Sequence, residues 1–362
     1  MIFYWLIVII ILLLSRAIAG EFQQKFILIF FVSLLFVFFA FRVGGTPDYF
    51  NYENTFDSLH SGRVDQDIKY EVGFQWLCIL LPSYRAFLIV FTAFYFGCVY
   101  YAFEKLIKPS NWFLSFVILF SYIPFVLGNM SGVRSGFVTC FFFLAIICKY
   151  QIVKQRPFAT RMVLSLAFML LAYSFHRSTI VLIPLLFIPS KPLRKSTLNV
   201  IYVIVAFIVL YIFANVNQIN AITSRLVSDW FGDDYYDVYF EGVRQIRFTF
   251  FSFIKMLVVA ALMVMTLRLS NDENDKIKIV LLRLTAIFYF ITILPDLGLT
   301  ARLYYYFAFP CVIGTSYVAE KAISNTKTLY YACVFVYIFW QLYNFFISPI
   351  LIYYQDYQNI LF

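Results

Sequence analysis

Apolar residues in this chain come in long blocks separated by short polar connectors. The stretches 26–41 and 84–103 are nearly uninterrupted runs of Phe, Leu, Ile, Val and Ala. A helix rises about 1.5 Å per residue, so about 20 apolar residues cross a hydrocarbon core of about 30 Å. A segment in lipid must satisfy its own backbone, and blocks of this kind do so as helices. A β-barrel would instead show alternating segments of roughly ten residues. About twelve blocks qualify: 2–15, 26–41, 84–103, 112–127, 134–149, 161–175, 178–190, 198–214, 251–268, 279–295, 302–319 and 328–347. Two are weak, since 2–15 is short and 178–190 is short and contains Pro184. The expected fold is an all-α polytopic membrane protein, a single integral domain over residues 1–362. The first block has neither a positive flank before it nor a small-residue cleavage site, so it reads as a retained helix.

The polar positions orient these helices. Lys105 with Lys108, the group Lys149, Lys154, Arg156 and Arg161, and the group Lys191, Arg194 and Lys195 fall on alternate connectors. Basic connectors stay cytoplasmic, which places both termini on the outer side. The 28 Lys+Arg then divide into 17 inside and 11 outside, and the 19 Asp+Glu into 6 inside and 13 outside. The inner face nets 17 − 6 = +11 and the outer face 11 − 13 = −2. The outer basic residues are nine arginines (Arg42, Arg63, Arg85, Arg134, Arg177, Arg225, Arg244, Arg247 and Arg302) with only Lys69 and Lys255. Arginine offers a planar fork that matches phosphate and carboxylate, whereas lysine is a point charge. The outer face is therefore expected to bind an anion.

Composition narrows the picture. The chain is 63% apolar and 22% aromatic, with a mean hydropathy of +0.83, which no soluble domain of this length requires. Its net charge of +9 is scattered over short connectors and is no nucleic-acid footprint. Six cysteines lie in or beside apolar runs without CxxC spacing, and the two histidines are far apart. They read as small core residues, and no metal site is expected.

Candidate chemistry lies on the outer side. Two long outer segments, 42–83 and 215–250, interrupt the helices. In the first, Gly44-Gly45 and Thr46-Pro47 break the second block beside Arg42, and Asp48, Tyr49, Tyr52 and Glu53 follow. If 48–58 is helical, Asp48 and Tyr52 share a face. Glu71 precedes the apolar stretch 72–81, too short to span and stopped by Pro82, which reads as a re-entrant or interfacial half-helix. A carboxylate at that depth is costly unless paired. In the second segment, Ile219, Ile222, Leu226 and Trp230 recur at helical spacing, as in an amphipathic helix on the outer leaflet. Elsewhere Arg134 opens a block after the loop GNMSGVRSG, His176 and Arg177 fill the tight connection YSFHRS, and Arg302 begins a block after Asp296 and precedes the tyrosines 304–306. The bland alternatives are helix caps, snorkelling arginines and an interfacial tyrosine belt.

At these motifs the chain resembles the EpsG-like branch of the Wzy-type polysaccharide (O-antigen) polymerases. The resemblance rests on R-x-G-G-T-x-D-Y-x-x-Y from Arg42 to Tyr52, Y-E-x-G-F from Tyr70 to Phe74, and G-x-R-S-G from Gly132 to Gly136. F-H-R-S from Phe175 to Ser178 and R-x-x-Y-Y from Arg302 to Tyr306 complete it. Val72 stands where the pattern leads one to expect proline. The resemblance implies a GT-C-like membrane glycosyltransferase of the bacterial inner membrane with its active site facing the periplasm. Such an enzyme moves the growing glycan from undecaprenyl diphosphate to the non-reducing end of the next undecaprenyl-diphosphate-linked repeat unit. It needs no cofactor, and a chain-length regulator protein is a further candidate partner. On this chain the implied roles are Arg134, Arg177 and Arg302 on the leaving diphosphate, joined by Arg42 and assisted by His176. Asp48 or Glu71 would be the base, oriented by Tyr52. Tyr235, Tyr236, Tyr239 and Tyr305 would line the sugar path, and 219–231 would gate lipid access.

Two other classes compete. A lipid-linked oligosaccharide flippase or transporter would carry internal pseudo-symmetry and charges in mid-span, whereas here the charges gather at block ends on one face. An O-antigen ligase-like transferase would share the lipid diphosphate and differ in acceptor. A membrane O-acyltransferase would call for a histidine deeper in a span.

Overall fold

The computed structural model describes residues 2–16, 21–61, 70–122, 124–152, 155–211, 215, 250–293, 303–322, 324–347 and 357–359. Tyr235, Tyr236, Tyr239, Arg302 and the stretch 219–231 lie outside the described residues. The helices are α1 (Ile2–Arg16), α2 (Glu21–Ala40), α3 (Tyr49–His60), α4 (Val72–Leu80), α5 (Tyr84–Leu106), α6 (Trp112–Ser121), the single turn α7 (Asn129–Ser131), α8 (Val133–Ile147) and α9 (Phe158–Phe175). They continue as α10 (Lys195–Tyr211), α11 (Phe250–Asp272), α12 (Lys276–Ile293), α13 (Ala308–Lys321) and α14 (Ser324–Ile347). A 3₁₀ helix, Arg177–Phe187, follows α9.

Five helical stretches among the described residues are long and apolar enough to cross a membrane: Gln23–Ala40, Tyr84–Leu106, Val133–Gln151, Phe158–Phe175 and Phe253–Asp272. The pair Pro109–Ser121 and Pro124–Ser131, bent by 63°, makes a sixth if it is one broken span. Pro124 opens a π-helical turn there, a local winding that accommodates a break in the ladder. The protein is an all-α polytopic membrane protein. Its outer surface agrees with that assignment. Leu170, Ile180, Val203, Phe207 and Phe335 are exposed, a breadth of bare apolar surface that a water-soluble monomer avoids.

The Val133–Gln151 stretch is the axis of the bundle, with 72% of it buried, against 22% for Phe158–Phe175. Lipid removes the hydrophobic drive for helix pairing, so close packing must hold the bundle together. Rings supply much of it: Phe137 stacks on Phe175 at 4.4 Å, Phe143 on Phe309 at 4.5 Å and Phe103 on Phe116 at 4.2 Å. Each such pair adds roughly 0.5–1.5 kcal/mol beyond area. Thr285 of α12 donates to the Pro310 carbonyl at 2.7 Å, tying α12 to α13.

Polar contacts gather at two ends. At one, Lys108 pairs with Glu320 at 2.6 Å, Asn271 donates to the Leu193 carbonyl at 3.1 Å, and Lys149 donates to the Leu186 carbonyl. Arg283 donates to the carbonyls of Pro189 and, at 2.8 Å, Lys191. At the other end, β1 (Arg42–Gly44) pairs antiparallel with β2 (Tyr357–Asn359), with Val43 opposite Gln358. Gly44 and Gly45 then take φ values of 63° and 69°, a left-handed pair that only glycine adopts without strain, and turn the chain into α3.

Candidate active site

Glu71 is the centre of this second end. It sits at the N-cap of α4 with extended backbone, yet its side chain makes no cap hydrogen bond. The carboxylate reaches across to other elements instead. One oxygen forms an ion pair with Arg134 at the start of α8. The other accepts from His176 Nδ1 at 3.0 Å and from the Arg177 backbone N–H at 3.1 Å. An ionised carboxylate only accepts, so Nδ1 carries a proton. The three side chains are largely enclosed, with 10% of Glu71, 14% of His176 and 17% of Arg134 exposed.

Local sequence explains the convergence. His176 breaks the helix after Phe175. Its backbone is extended, its N–H still closes α9 on the Ala172 carbonyl at 3.0 Å, and its carbonyl accepts from Thr179 Oγ1 at 2.7 Å. The Arg177 N–H then opens the 3₁₀ helix as an orphan donor, which Glu71 satisfies. Gly73 lets α4 lie against the end of α9. A Cβ there would come within 2.7 Å of the Ser174 carbonyl oxygen, so a side chain would push α4 and Glu71 away.

Arg134 is fixed on three sides. Besides Glu71, its Nε donates to Tyr52 Oη at 3.5 Å, and its guanidinium lies 4.4 Å from the Tyr70 ring centroid. Such a cation–π contact adds roughly 0.5–2 kcal/mol. Tyr52 is itself buried, packed between Tyr70 at 5.6 Å and Phe74 at 5.4 Å. Burial pushes its phenol well above the ordinary value of 10, and the nearby Arg134 charge only partly offsets that, so Tyr52 stays neutral. Burial likewise raises the Glu71 carboxyl. The His176 hydrogen bond, the Arg134 charge and the Arg177 N–H outweigh it and lower the pKa to about 2.

Asp48 is the N-cap of α3 without a side-chain cap bond, and Ser131 Oγ donates to its carboxylate at 3.5 Å. That contact joins Asp48 to the turn just before Arg134. Arg42 is 1% exposed and donates to the Phe39 carbonyl at 2.8 Å and the Met130 carbonyl at 2.6 Å, binding the end of α2 to α7. Arg85 does similar work on the Ala40 and Arg42 carbonyls, at 3.0 and 2.6 Å. The Arg177 side chain is exposed beside the cluster. The Tyr305 carbonyl accepts from Thr139 at 3.1 Å and Asn129 at 3.3 Å, and its ring crowds Gly128. Tyr306 Oη shares a 2.5 Å hydrogen bond with Ser178, which follows Arg177. Tyr70, Ser131 and Gly73 carry roles that sequence reasoning did not assign. Tyr70 and Gly73 stood within Y-E-x-G-F and Ser131 within GNMSGVRSG, but only as motif positions.

Arg134, His176 and the Arg177 N–H form a compact donor cluster that holds the Glu71 carboxylate. It lies beside exposed apolar side chains of α4 (Val72, Trp76, Ile79, Leu80) and of the 3₁₀ helix (Ile180, Val181). Among the described residues no three His, Cys, Asp or Glu side chains gather as a metal ion would require. A cavity of about 630 Å³ is lined by Gln24, Asn111, Phe113, Tyr331 and Phe335 and includes none of these residues. Its lining is mostly apolar and carries no cluster of acidic or basic side chains. No curated protein and no solved structure matches the chain. A family model, the EpsG family, matches residues 25–359. The chain belongs to the EpsG family.

Proposed function

We propose that this protein is a polysaccharide polymerase of the O-antigen type, a glycosyltransferase that uses lipid-diphosphate-linked oligosaccharides as both donor and acceptor. The observation that carries the reading is the anion seat of Arg134, His176 and the Arg177 N–H, set beside a bare apolar surface. A diphosphate on a polyprenyl tail has that same division, an anion to be held and a chain to lie in lipid. Membership of the EpsG family supports it. The finer reading is a chain of twelve spans and GT-C-like architecture in the bacterial plasma membrane, with both termini and the seat on the periplasmic side. Undecaprenyl diphosphate is the carrier.

In the reaction the bond from the donor's anomeric carbon to the diphosphate oxygen breaks, and the diphosphate leaves with the electron pair. A hydroxyl at the non-reducing end of the acceptor unit forms the new bond and gives up its proton to a carboxylate, Glu71 or Asp48. Arg134, joined by the Arg177 and Arg302 side chains, stabilises the charge that grows on the leaving diphosphate, the moment when fixed donors contribute most. Purified protein in nanodiscs, given lipid-linked repeat units from a strain lacking the polymerase, is expected to build a ladder of products without nucleotide sugar or added metal. A strict need for nucleotide sugar, or transfer of single units only, would overturn the assignment.

A further inference from the structure

We propose that Glu71 is an internal stand-in for the donor's diphosphate: it fills the anion seat in the resting protein, and an arriving diphosphate displaces it and releases its carboxylate to act as the base. The second half rests on the polymerase reading; the first does not. Both Glu71 oxygens are engaged, by donors from three places: the α8 start, the turn residue His176 and the first N–H of the 3₁₀ helix. Two oxygens on one centre, presented to an arginine fork and a backbone N–H, are also what a phosphate offers. The same donors cannot hold both anions.

Displacement is inexpensive for the surrounding fold. Glu71 makes no side-chain cap bond to α4, so its departure leaves that helix end as it was. Arg134 keeps its contacts with Tyr52 and Tyr70 and does not have to move. Arg134 and His176, with Tyr52 and Tyr70 behind Arg134, then serve the incoming anion. A carboxylate saturated by three donors is a poor proton acceptor, whereas one released from them can take a proton. The cycle closes in balance. The acceptor oxygen bonds to the anomeric carbon, its proton passes to Glu71, and the carbon–oxygen bond to the diphosphate breaks. Once the lipid diphosphate departs, Glu71 gives its proton to solvent and returns to Arg134.

The test uses the full chain in phosphatidylcholine nanodiscs and inorganic pyrophosphate as probe, read by calorimetry. An internal competitor lowers apparent affinity by the fraction of time it holds the seat. Glu71→Gln is therefore expected to bind pyrophosphate roughly tenfold more tightly than wild type while making no polymer. Glu71→Asp, with a shorter reach, should tighten binding less. Arg134→Ala should lose binding, and Glu104→Gln, at the opposite end, should match wild type. Pyrophosphate affinity unchanged or weakened in both Glu71 variants, with both folded by circular dichroism, overturns the exchange. If one Glu71 variant does not fold, the other decides. A ladder from lipid-linked units without tightening sinks the exchange alone, and tightening without a ladder sinks the polymerase reading alone.

Discussion

The two ends of this bundle use the same residue types for opposite purposes. At the lysine-rich end, Lys149 donates to a backbone carbonyl in the last turn of the 3₁₀ helix and Arg283 to two carbonyls just after it. At the other end, Arg134 and His176 face a carboxylate. A cation on carbonyls ties down a loop and has no reason to let go. A cation on a carboxylate has a partner that another anion can replace. Arg42 and Arg85 show that the division follows the partner and not the end of the bundle, since both sit near the candidate site and both hold carbonyls.

The comparison breaks most visibly at Arg134. Removing an aimed donor from a developing anion typically costs 10²–10³-fold in rate, and we expect Arg134→Ala to lose about that much polymerising activity per folded molecule. Arg134→Lys should recover little, because a point charge does not reproduce the fork. A ladder of wild-type length from either variant would remove Arg134 from the reaction. Arg283→Met should behave in the reverse way. Its loss removes charged hydrogen bonds to two carbonyls, roughly 2–3 kcal/mol of stability, and should lower the melting temperature while turnover per folded molecule holds.

Acid sharpens the contrast next. The Glu71 carboxyl titrates at about 2 in the folded protein against an ordinary 4.5. A lowered folded pKa means that ionised Glu71 adds stability above pH 4.5, and that this contribution is lost as pH falls from there through about 2. Replacing Glu71 by Gln should flatten the melting temperature across that window, and an unchanged slope would show that the ion pair is not formed. The smallest effect belongs to Lys108 and Glu320. Their 2.6 Å pair has a lysine side chain 64% exposed, and Lys108→Met should change stability by no more than about 0.5 kcal/mol in a chemical melt.

Part of the helical layout is readable from block length, because lipid imposes a simple rule on it: five of the described helical stretches, or six with the bent pair, are long and apolar enough to cross. The 178–190 block shows where that rule blurs. Eleven residues, Arg177–Phe187, form a 3₁₀ helix around Pro184. At about 2 Å per residue they extend roughly 22 Å, where an α-helix of that length would extend about 16 Å. Hydropathy reports how apolar a stretch is and not how tightly it winds. The site was legible in pieces. Glu71, Arg134 and His176 each stood out as polar residues at the edges of apolar blocks, but their common meeting point depends on the approach of α4 to α9 at Gly73, a contact between residues about a hundred positions apart. Arg42 read the same way as Arg134 because both are arginines where a block ends. Only the packed chain shows one facing the Met130 carbonyl and the other facing Glu71.

The pairing of Arg42–Gly44 with Tyr357–Asn359 sets an order of events during synthesis. Residues that emerge early must wait for residues that emerge late before this short ladder closes. Through most of translation the segment leading from Arg42 to Asp48 therefore lacks its strand partner. The ladder itself closes only after some three hundred intervening residues have been made. A chain that ended before β2 would carry Arg42–Gly44 without its strand partner.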